Sequence, residues 1–179
     1  MAEQSPRQVW SMRAVYLALG MVVIFFHLLP LRALPDAIAG PDLLVALTFA
    51  WAMRRPDFVP APAIAALMLL ADLLFQRPPG LWAVLVLLAA EWLKRRERRL
   101  RDGTFAPEWL TVAAILLVIT IVYRLVLGIL IVAPERFLLA LSQYGFTVLI
   151  YPVVVGLSWL VLRVRRASPG EFDAMGRAL

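Results

Sequence analysis

The sequence predicts an all-α integral membrane protein, a bundle of six transmembrane helices with both termini in the cytoplasm. Of its 179 residues, 63% are hydrophobic, and the mean hydropathy is +0.83. A soluble domain is about 45–50% apolar, so most of this chain is expected to lie in lipid. Six apolar runs follow one another, and the arginines between them fall mainly on alternate sides, which is typical of a multi-pass membrane protein.

The apolar runs set the predicted spans. The first, third, fifth and sixth are long enough for a hydrocarbon core of about 30 Å at about 1.5 Å per residue, whereas the second and fourth are short. The segment before the first run is predicted to be loose or interfacial. The predicted helices cover about Met12–Leu29, Leu43–Met53, Val59–Phe75, Leu81–Leu93, Trp109–Val132 and Leu141–Leu162, after the segment Met1–Trp10.

The two short runs leave four spans with two re-entrant hairpins as an alternative, and the distribution of charge favours six spans. Dropping one short run would place the large basic cluster outside the cell, and dropping both would misplace only Arg54 and Arg55. Six spans leave only Arg32, Arg77 and Arg136 outside. The cytoplasmic side then holds Arg54, Arg55, Arg163, Arg165, Arg166 and the basic cluster, whose members include Lys94, Arg95, Arg96, Arg98 and Arg99.

The chain divides into a transmembrane domain, residues 1–166, and a short tail, residues 167–179. In the tail, Ser168-Pro169-Gly170-Glu171 fits a helix capping box, with proline at the first helical position. Phe172, Met175 and Leu179 would then form one apolar stripe. The tail is therefore predicted to be a cytoplasmic amphipathic helix, with a frayed end as the alternative.

A turn with an acidic residue beside it separates the third and fourth runs. Arg77-Pro78-Pro79-Gly80 cannot continue a helix comfortably, so the chain is expected to reverse there as a membrane hairpin. Asp72 lies about one turn before the third run stops. A carboxylate at that depth indicates a functional site, or a side chain that caps or hydrogen-bonds the turn, and both interpretations stay open.

Four ionisable residues are predicted to collect in the outer half of the bundle: His27, Asp42, Asp72 and Arg124. Arg124 lies too deep in the fifth run to reach water easily, so it is expected to pair with Asp72, directly or through water, or with Asp42 as the second choice. The cluster is interpreted as a set of polar contacts that fixes the register of the helices, in preference to a ligand or proton site. On the inner side, Glu91 is expected to form a surface salt bridge with Arg95.

Composition and motifs also predict what the protein lacks. There is no cysteine and only one histidine, so neither disulfides nor a metal site are expected. No catalytic serine set or phosphate-binding glycine loop is present, so the chain is not expected to be an enzyme or to carry a cofactor. The net charge of +6 is explained by arginines at cytoplasmic helix ends, so no nucleic-acid partner is predicted.

These features resemble the bacterial rod shape-determining protein MreD family. The basic cluster after the fourth run and the Ala-Ser-Pro-Gly-Glu tail are similar to alphaproteobacterial members. Size, hydrophobicity and six-span layout also agree, and the order and spacing of the short motifs carry the resemblance. The matching segments are Pro41-Asp42-Leu43-Leu44, Arg54-Arg55-Pro56, Leu70-Ala71-Asp72-Leu73-Leu74 and Pro79-Gly80-Leu81.

The resemblance implies a non-enzymatic membrane subunit of the cell-elongation machinery that builds peptidoglycan. Its implied partner is MreC and, through it, MreB and the RodA and PBP2 synthase pair. Apart from the resemblance, membrane lipids are expected contacts, and whether the chain forms a homodimer stays open. Ala61, Ala65, Gly145 and Gly156 are small residues that would admit a partner helix. The family is similar in fold to substrate-binding subunits of energy-coupling-factor transporters, so the alternative is a subunit that binds a vitamin-like molecule.

A reporter fused after Arg55 distinguishes the two topologies. With six spans the fusion point lies in the cytoplasm, because the second run crosses the membrane completely. A fusion after Arg101 is the control, since both arrangements keep the basic cluster inside. A periplasmic signal after Arg55 would support four spans with two re-entrant hairpins.

Overall fold

The structure, a computed structural model, describes residues 6–29, 39–100, 104–131, 136–162 and 164, and these residues contain six α-helices and no β-strand. The predicted all-α class is therefore confirmed for the described part of the chain. A short 3₁₀ helix, Pro56–Phe58, follows α2. The helices are α1 Pro6–Leu28, α2 Leu43–Arg54, α3 Ala61–Leu74, α4 Leu81–Leu100, α5 Phe105–Ile129 and α6 Phe137–Leu162.

Three of these helices, α1, α5 and α6, are long and apolar enough to cross a membrane. The helices α2 and α3 have only 12 and 14 residues, or about 18 and 21 Å at about 1.5 Å per residue. α4 has 20 residues, but its second half is strongly basic. Length and composition therefore mark this chain as a membrane protein.

α2 is the central helix of the bundle. Every residue from Leu44 to Arg54 is buried. α2 packs against α4 and α6 and also contacts α1, while the outer helices pack in sequence, α1 on α3, α3 on α4, α4 on α5 and α5 on α6. A helix that is apolar on all sides is expected to be enclosed by protein or lipid, and here it is enclosed by its neighbours.

Two side-chain hydrogen bonds fix α2 against the long helices. The hydroxyl groups of Thr48 on α2 and Tyr16 on α1 lie 2.9 Å apart and share a hydrogen bond. The indole Nε1 of Trp51 donates to the hydroxyl oxygen of Ser158 on α6 at 3.1 Å. All four side chains are buried. Since a buried polar group without a partner is costly, these bonds set the rotation of α2 within the bundle.

The ends of α1 and α4 correct two predictions. α1 begins at Pro6, so the second half of the segment Met1–Trp10 is helical and not loose; a proline at the first helical position is a usual helix start. α4 continues to Leu100, seven residues beyond the predicted end, because lysine and arginine are good helix formers and need not stop a helix.

The other boundaries differ less. The predicted second helix, Leu43–Met53, is confirmed within one residue. The third begins two residues later than predicted, at Ala61, because Pro60 is its N-cap, and it ends one residue earlier, at Leu74. The fifth and sixth each begin four residues early, and the fifth ends at Ile129. The tail, residues 167–179, lies outside the described residues.

α1 and α3 approach each other closely at Gly20. A Cβ atom added there would lie 2.9 Å from Cδ1 of Leu67 and 3.1 Å from its Cγ. Leu67 is only 2% exposed, so its side chain has little room to move. Glycine at this position therefore allows the contact between the two helices.

Replacing Gly20 with leucine should lower the free energy of unfolding by about 1–3 kcal/mol, because the larger side chain overpacks the contact with Leu67. The matched control is Gly156→Leu on α6, where an added Cβ meets no atom within 4 Å. Thermal unfolding in detergent, followed by circular dichroism, measures both. Equal unfolding temperatures for the two variants would contradict the close packing of α1 on α3.

Candidate functional site

α3 and α4 are joined by the predicted turn, and two residues in it have left-handed backbone conformations. Gln76 has φ 55° and Gly80 has φ 86°. The N–H of Arg77 donates to the carbonyl of Asp72 at 3.0 Å, and the N–H of Gln76 donates to the carbonyl of Leu73 at 3.4 Å. This pair of bonds is the Schellman ending of a helix. We call the end of the bundle that carries residues 75–80 the turn end.

Asp72 holds α3 and α4 together. Its Oδ2 accepts hydrogen bonds from the backbone N–H groups of Gly80, at 3.1 Å, and Ala83, at 3.0 Å. These N–H groups lie at the start of α4, where a helix has no acceptors of its own. The structure therefore shows the hydrogen bonds that the turn-capping interpretation requires. Within the described part of the chain Asp72 makes no direct ion pair, so the predicted direct pair with Arg124 is wrong.

Asp42 joins the start of α2 to two neighbours. Its Oδ1 accepts from the N–H of Val45 at 3.1 Å, which makes it the N-cap of α2. Its own N–H donates to the hydroxyl of Thr147 on α6 at 2.8 Å. Its Oδ2 lies 3.7 Å from Nη1 of Arg77. Arg77 is thus the cation beside Asp42, which was the second choice of partner predicted for Arg124.

His27 borders a largely apolar cavity of about 300 Å³ between α1, the start of α2 and the turn. Its ring centroid is 4.2 Å from that of Phe75, and Asp42 and Arg77 line the same cavity. His27 therefore lies at the turn end with the predicted acids, and its ring packs against the ring of Phe75.

A second, more polar cavity of about 220 Å³ lies on the other side of Asp42 and Arg77, and Arg124 is in its wall. The guanidinium of Arg124 also lies over the ring of Phe137, 5.5 Å from its centroid. All four predicted residues thus occur at one end of the bundle. The lining is Asp42, Phe75, Gln76, Arg77, Pro78, Trp82, Leu116, Thr120, Tyr123, Arg124, Leu127, Ala140, Gln143, Tyr144 and Thr147.

The opposite end of the bundle contains a buried ionic contact that the sequence analysis missed. Arg54, at the end of α2, pairs with Glu108 in the first turn of α5, and the hydroxyl of Tyr151 on α6 donates to Glu108 Oε1 at 2.7 Å. The three residues are 7%, 1% and 1% exposed. We call this group the clamp. The sequence contains one clue to this contact, an acidic residue at the start of a helix. The predicted fifth helix began one residue too late to include Glu108.

The basic cluster lies on α4, and its first residue bonds to the neighbouring connection. Lys94 Nζ donates to the carbonyl of Val59 and to Glu91 Oε1, both at 2.6 Å. Glu91 thus pairs with Lys94, three residues later, and the predicted salt bridge with Arg95 is wrong. A lysine that also meets a backbone carbonyl is held in place better than a solvated arginine.

Farther along α4, the guanidinium of Arg96 lies 4.2 Å from the ring centroid of Trp92, a cation–π contact. The side chains of Arg98 and Arg99 lie outside the described part of the structure. Among the described residues, no three histidine or acidic side chains are grouped so as to hold a metal ion.

Removing one partner of the clamp should be more harmful than removing both. Arg54→Met leaves Glu108 charged and buried, so the free energy of unfolding should fall by about 3–5 kcal/mol, and the double variant Arg54→Met/Glu108→Met should lose less. Titration with a denaturing detergent in mild micelles measures both.

The control for the clamp is Glu91→Gln, because Glu91 is 37% exposed in its pair with Lys94 and should contribute less than about 1 kcal/mol. Equal losses in Arg54→Met and Glu91→Gln would show that the clamp does not stabilise the fold.

The two ends of the bundle thus differ in kind. The clamp end is closed by ionic and hydrogen-bonded contacts between α2, α5 and α6, and the turn end holds two cavities separated by Asp42 and Arg77.

Comparison with protein-family models, with curated proteins and with solved structures finds no match for this chain.

Proposed function

We propose that this chain is a non-enzymatic subunit of a bacterial cell-elongation complex, embedded in the inner membrane and binding a partner membrane protein of the MreC type. The carrying observation is that the segments resembling the MreD family coincide with the elements that hold the bundle together. Pro41-Asp42 starts the central helix, Arg54-Arg55-Pro56 ends it, and the Asp72 segment closes the turn. Through such a partner the chain would act with MreB, RodA and PBP2.

Six spans with both termini in the cytoplasm are part of this proposal. Basic side chains gather at the clamp end, which supports a cytoplasmic location for that end by the positive-inside rule. Arg13 there donates its Nε to the carbonyl of Asp57, and Lys94 donates to the carbonyl of Val59. The turn end, with Arg77 and Arg124, would then face the periplasm.

The contacts of the charged residues favour a scaffold over a transporter subunit. Asp42, Arg54, Asp72 and Glu108 all bond to other helices or cap them, which suits a rigid body that presents a surface to a partner. The polar cavity, at about 220 Å³, is smaller than the roughly 300–1,000 Å³ of most small-molecule sites. A vitamin-like solute would need more enclosed volume than this.

The partner is proposed to pack on α6. In lipid, helices associate through close contact at small residues, and Cβ atoms added at Gly145 and Gly156 would meet no atom of this chain within 4 Å. These two glycines lie three turns apart on one helix, at about 3.6 residues per turn, so both can face a single partner helix. A second copy of the chain is the alternative occupant of this surface.

The first test is co-purification of MreC with this chain from native membranes in mild detergent. Gly145→Leu and Gly156→Leu should each reduce the recovered MreC several-fold, because leucine keeps the partner backbone away. Gly128→Leu on α5 is the matched control, since an added Cβ there also meets open space. Equal recovery of MreC with all three variants would argue against α6 as the binding surface.

The second test is depletion of the protein in its own host. Rod-shaped cells should become round, while the purified chain shows only background peptidoglycan synthesis. Normal cell shape after complete loss, together with tight binding of a vitamin-like solute, would replace this proposal with the transporter-subunit alternative.

A further inference from the structure

The outer side of the hairpin formed by α3 and α4 is apolar and exposed. Leu69 and Leu73 are exposed on α3, and Val84, Leu88 and Trp92 are exposed on α4. In both helices these residues are four positions apart, so they form one stripe on each helix. We call the two stripes the hairpin face, and in a chain that crosses a membrane this face contacts lipid or another membrane protein.

The hairpin face is lower than the hydrocarbon core of an ordinary bilayer, which is about 30 Å thick. α3 has 14 residues, or about 21 Å at about 1.5 Å per residue. On α4 the first charged residue is Glu91, so the uncharged part, residues 81–90, is about 15 Å long. By contrast, the outer helices α1, α5 and α6 have 23, 25 and 26 residues, or about 35–39 Å. The height of the apolar surface therefore changes around the bundle.

Contacts at both ends of the hairpin fix this height. At the turn end, Asp72 on α3 accepts hydrogen bonds from the N–H groups of Gly80 and Ala83 at the start of α4. At the clamp end, Lys94 Nζ on α4 donates to the carbonyl of Val59, just before α3. The two helices are therefore tied at matching levels and cannot slide past each other to make a taller surface. Tilting would lower the surface further, so the mismatch is met by the bilayer, by extended basic side chains or by another protein.

We propose that the hairpin face thins the bilayer beside it and selects phospholipid with short acyl chains. Trp92 and Arg96 set the level of the head groups at the clamp end, because tryptophan and arginine favour the membrane interface. The guanidinium of Arg96 lies 4.2 Å from the ring centroid of Trp92, one turn back toward the turn end. Arg96 thus does not extend away from the apolar surface as a snorkelling side chain does, and Lys94 is bound to Val59. These basic side chains therefore do not supply the missing height.

Charge favours phospholipid over a second copy of the chain on the hairpin face. Arg95 and Arg96 are exposed at its clamp end. Two copies related by a twofold axis along the membrane normal would bring the same basic ends to one level, where they repel each other. The phosphate groups of lipids instead complement both guanidinium groups. The thinned bilayer lies on this side of the bundle only, since α1, α5 and α6 are longer.

The test measures which lipid touches each side of the purified full chain in vesicles. The sequence has no cysteine, so one introduced cysteine carries one fluorophore. Leu88→Cys places it on the hairpin face, and Leu149→Cys on α6 is the matched control, because the two leucines are 62% and 65% exposed and each lies near the middle of its apolar stretch. Brominated dioleoyl phosphatidylcholine quenches the fluorophore, and dimyristoleoyl phosphatidylcholine, with shorter chains and the same head group, competes with it.

At Leu88→Cys the shorter lipid should bind about threefold better than the longer one, because it removes the mismatch. At Leu149→Cys it should have no advantage, since α6 is long enough for the full thickness. Equal preferences at the two labels would overturn the proposal. So would quenching at Leu88→Cys that is weak at high protein density and rises as the vesicles are diluted with lipid, because a second copy would then cover the face.

A pair of variants tests the proposed head-group level. Arg95→Leu/Arg96→Leu extends the apolar surface of α4 by about one turn, or about 5.4 Å, and should remove most of the preference for short chains at Leu88→Cys. Arg95→Lys/Arg96→Lys keeps both charges and should keep the preference. The same preference in both double variants would overturn the proposal.

The inference requires α3 and α4 to cross the membrane, as in the proposed six-span arrangement, and the reporter fused after Arg55 tests that arrangement separately. The fluorescence measurements need no protein partner. Their failure is therefore distinct from failure of the MreC-type proposal.

Discussion

A buried helix that is shorter than the membrane imposes the main constraint on this bundle. α2 has 12 residues, about 18 Å against a hydrocarbon core of about 30 Å, and it is enclosed along nearly its whole length. In the proposed six-span arrangement both of its ends lie below the membrane surface. Charged residues at those ends must find protein partners, because water is not there to solvate them. Asp42 meets Arg77 at one end, and Arg54 meets Glu108 at the other.

The partners of α2 come from different parts of the chain, and this is how a short helix organises long ones. α1 contributes Tyr16, the turn contributes Arg77, α5 contributes Glu108 and α6 contributes Ser158. Hydrophobic burial cannot fix such an arrangement, because lipid chains are as apolar as the helix surfaces. Directional polar contacts therefore decide which face of each helix turns inward, and the close approach of α1 to α3 completes the packing.

What could be predicted from the sequence depended on how local the signal was. The bounds of α2 and the turn before α4 follow from prolines, glycines and a capping acid within a few residues. Depth along a helix was also predictable, so the four ionisable residues do gather at one end. Rotation about the helix axis was not predictable. The direct Asp72–Arg124 ion pair does not form, because the Asp72 carboxylate instead accepts hydrogen bonds from the N–H groups of Gly80 and Ala83. Glu108 was missed because the predicted fifth helix began one residue after it, and its pairing with Arg54 on another helix leaves no local sequence pattern.

Whether a residue bonds to a second helix or lies on the open surface decides which substitutions can report on function. Asp42, Arg54 and Asp72 each bond to a second helix, so their replacement changes the packing of the bundle before it changes any interaction with another molecule. Lost activity in such variants would not separate a role in binding from a role in folding. Gly145 and Gly156 differ, because side chains added there meet open space. The surface of α6 is therefore where partner binding can be altered while the contacts that hold α2 stay intact.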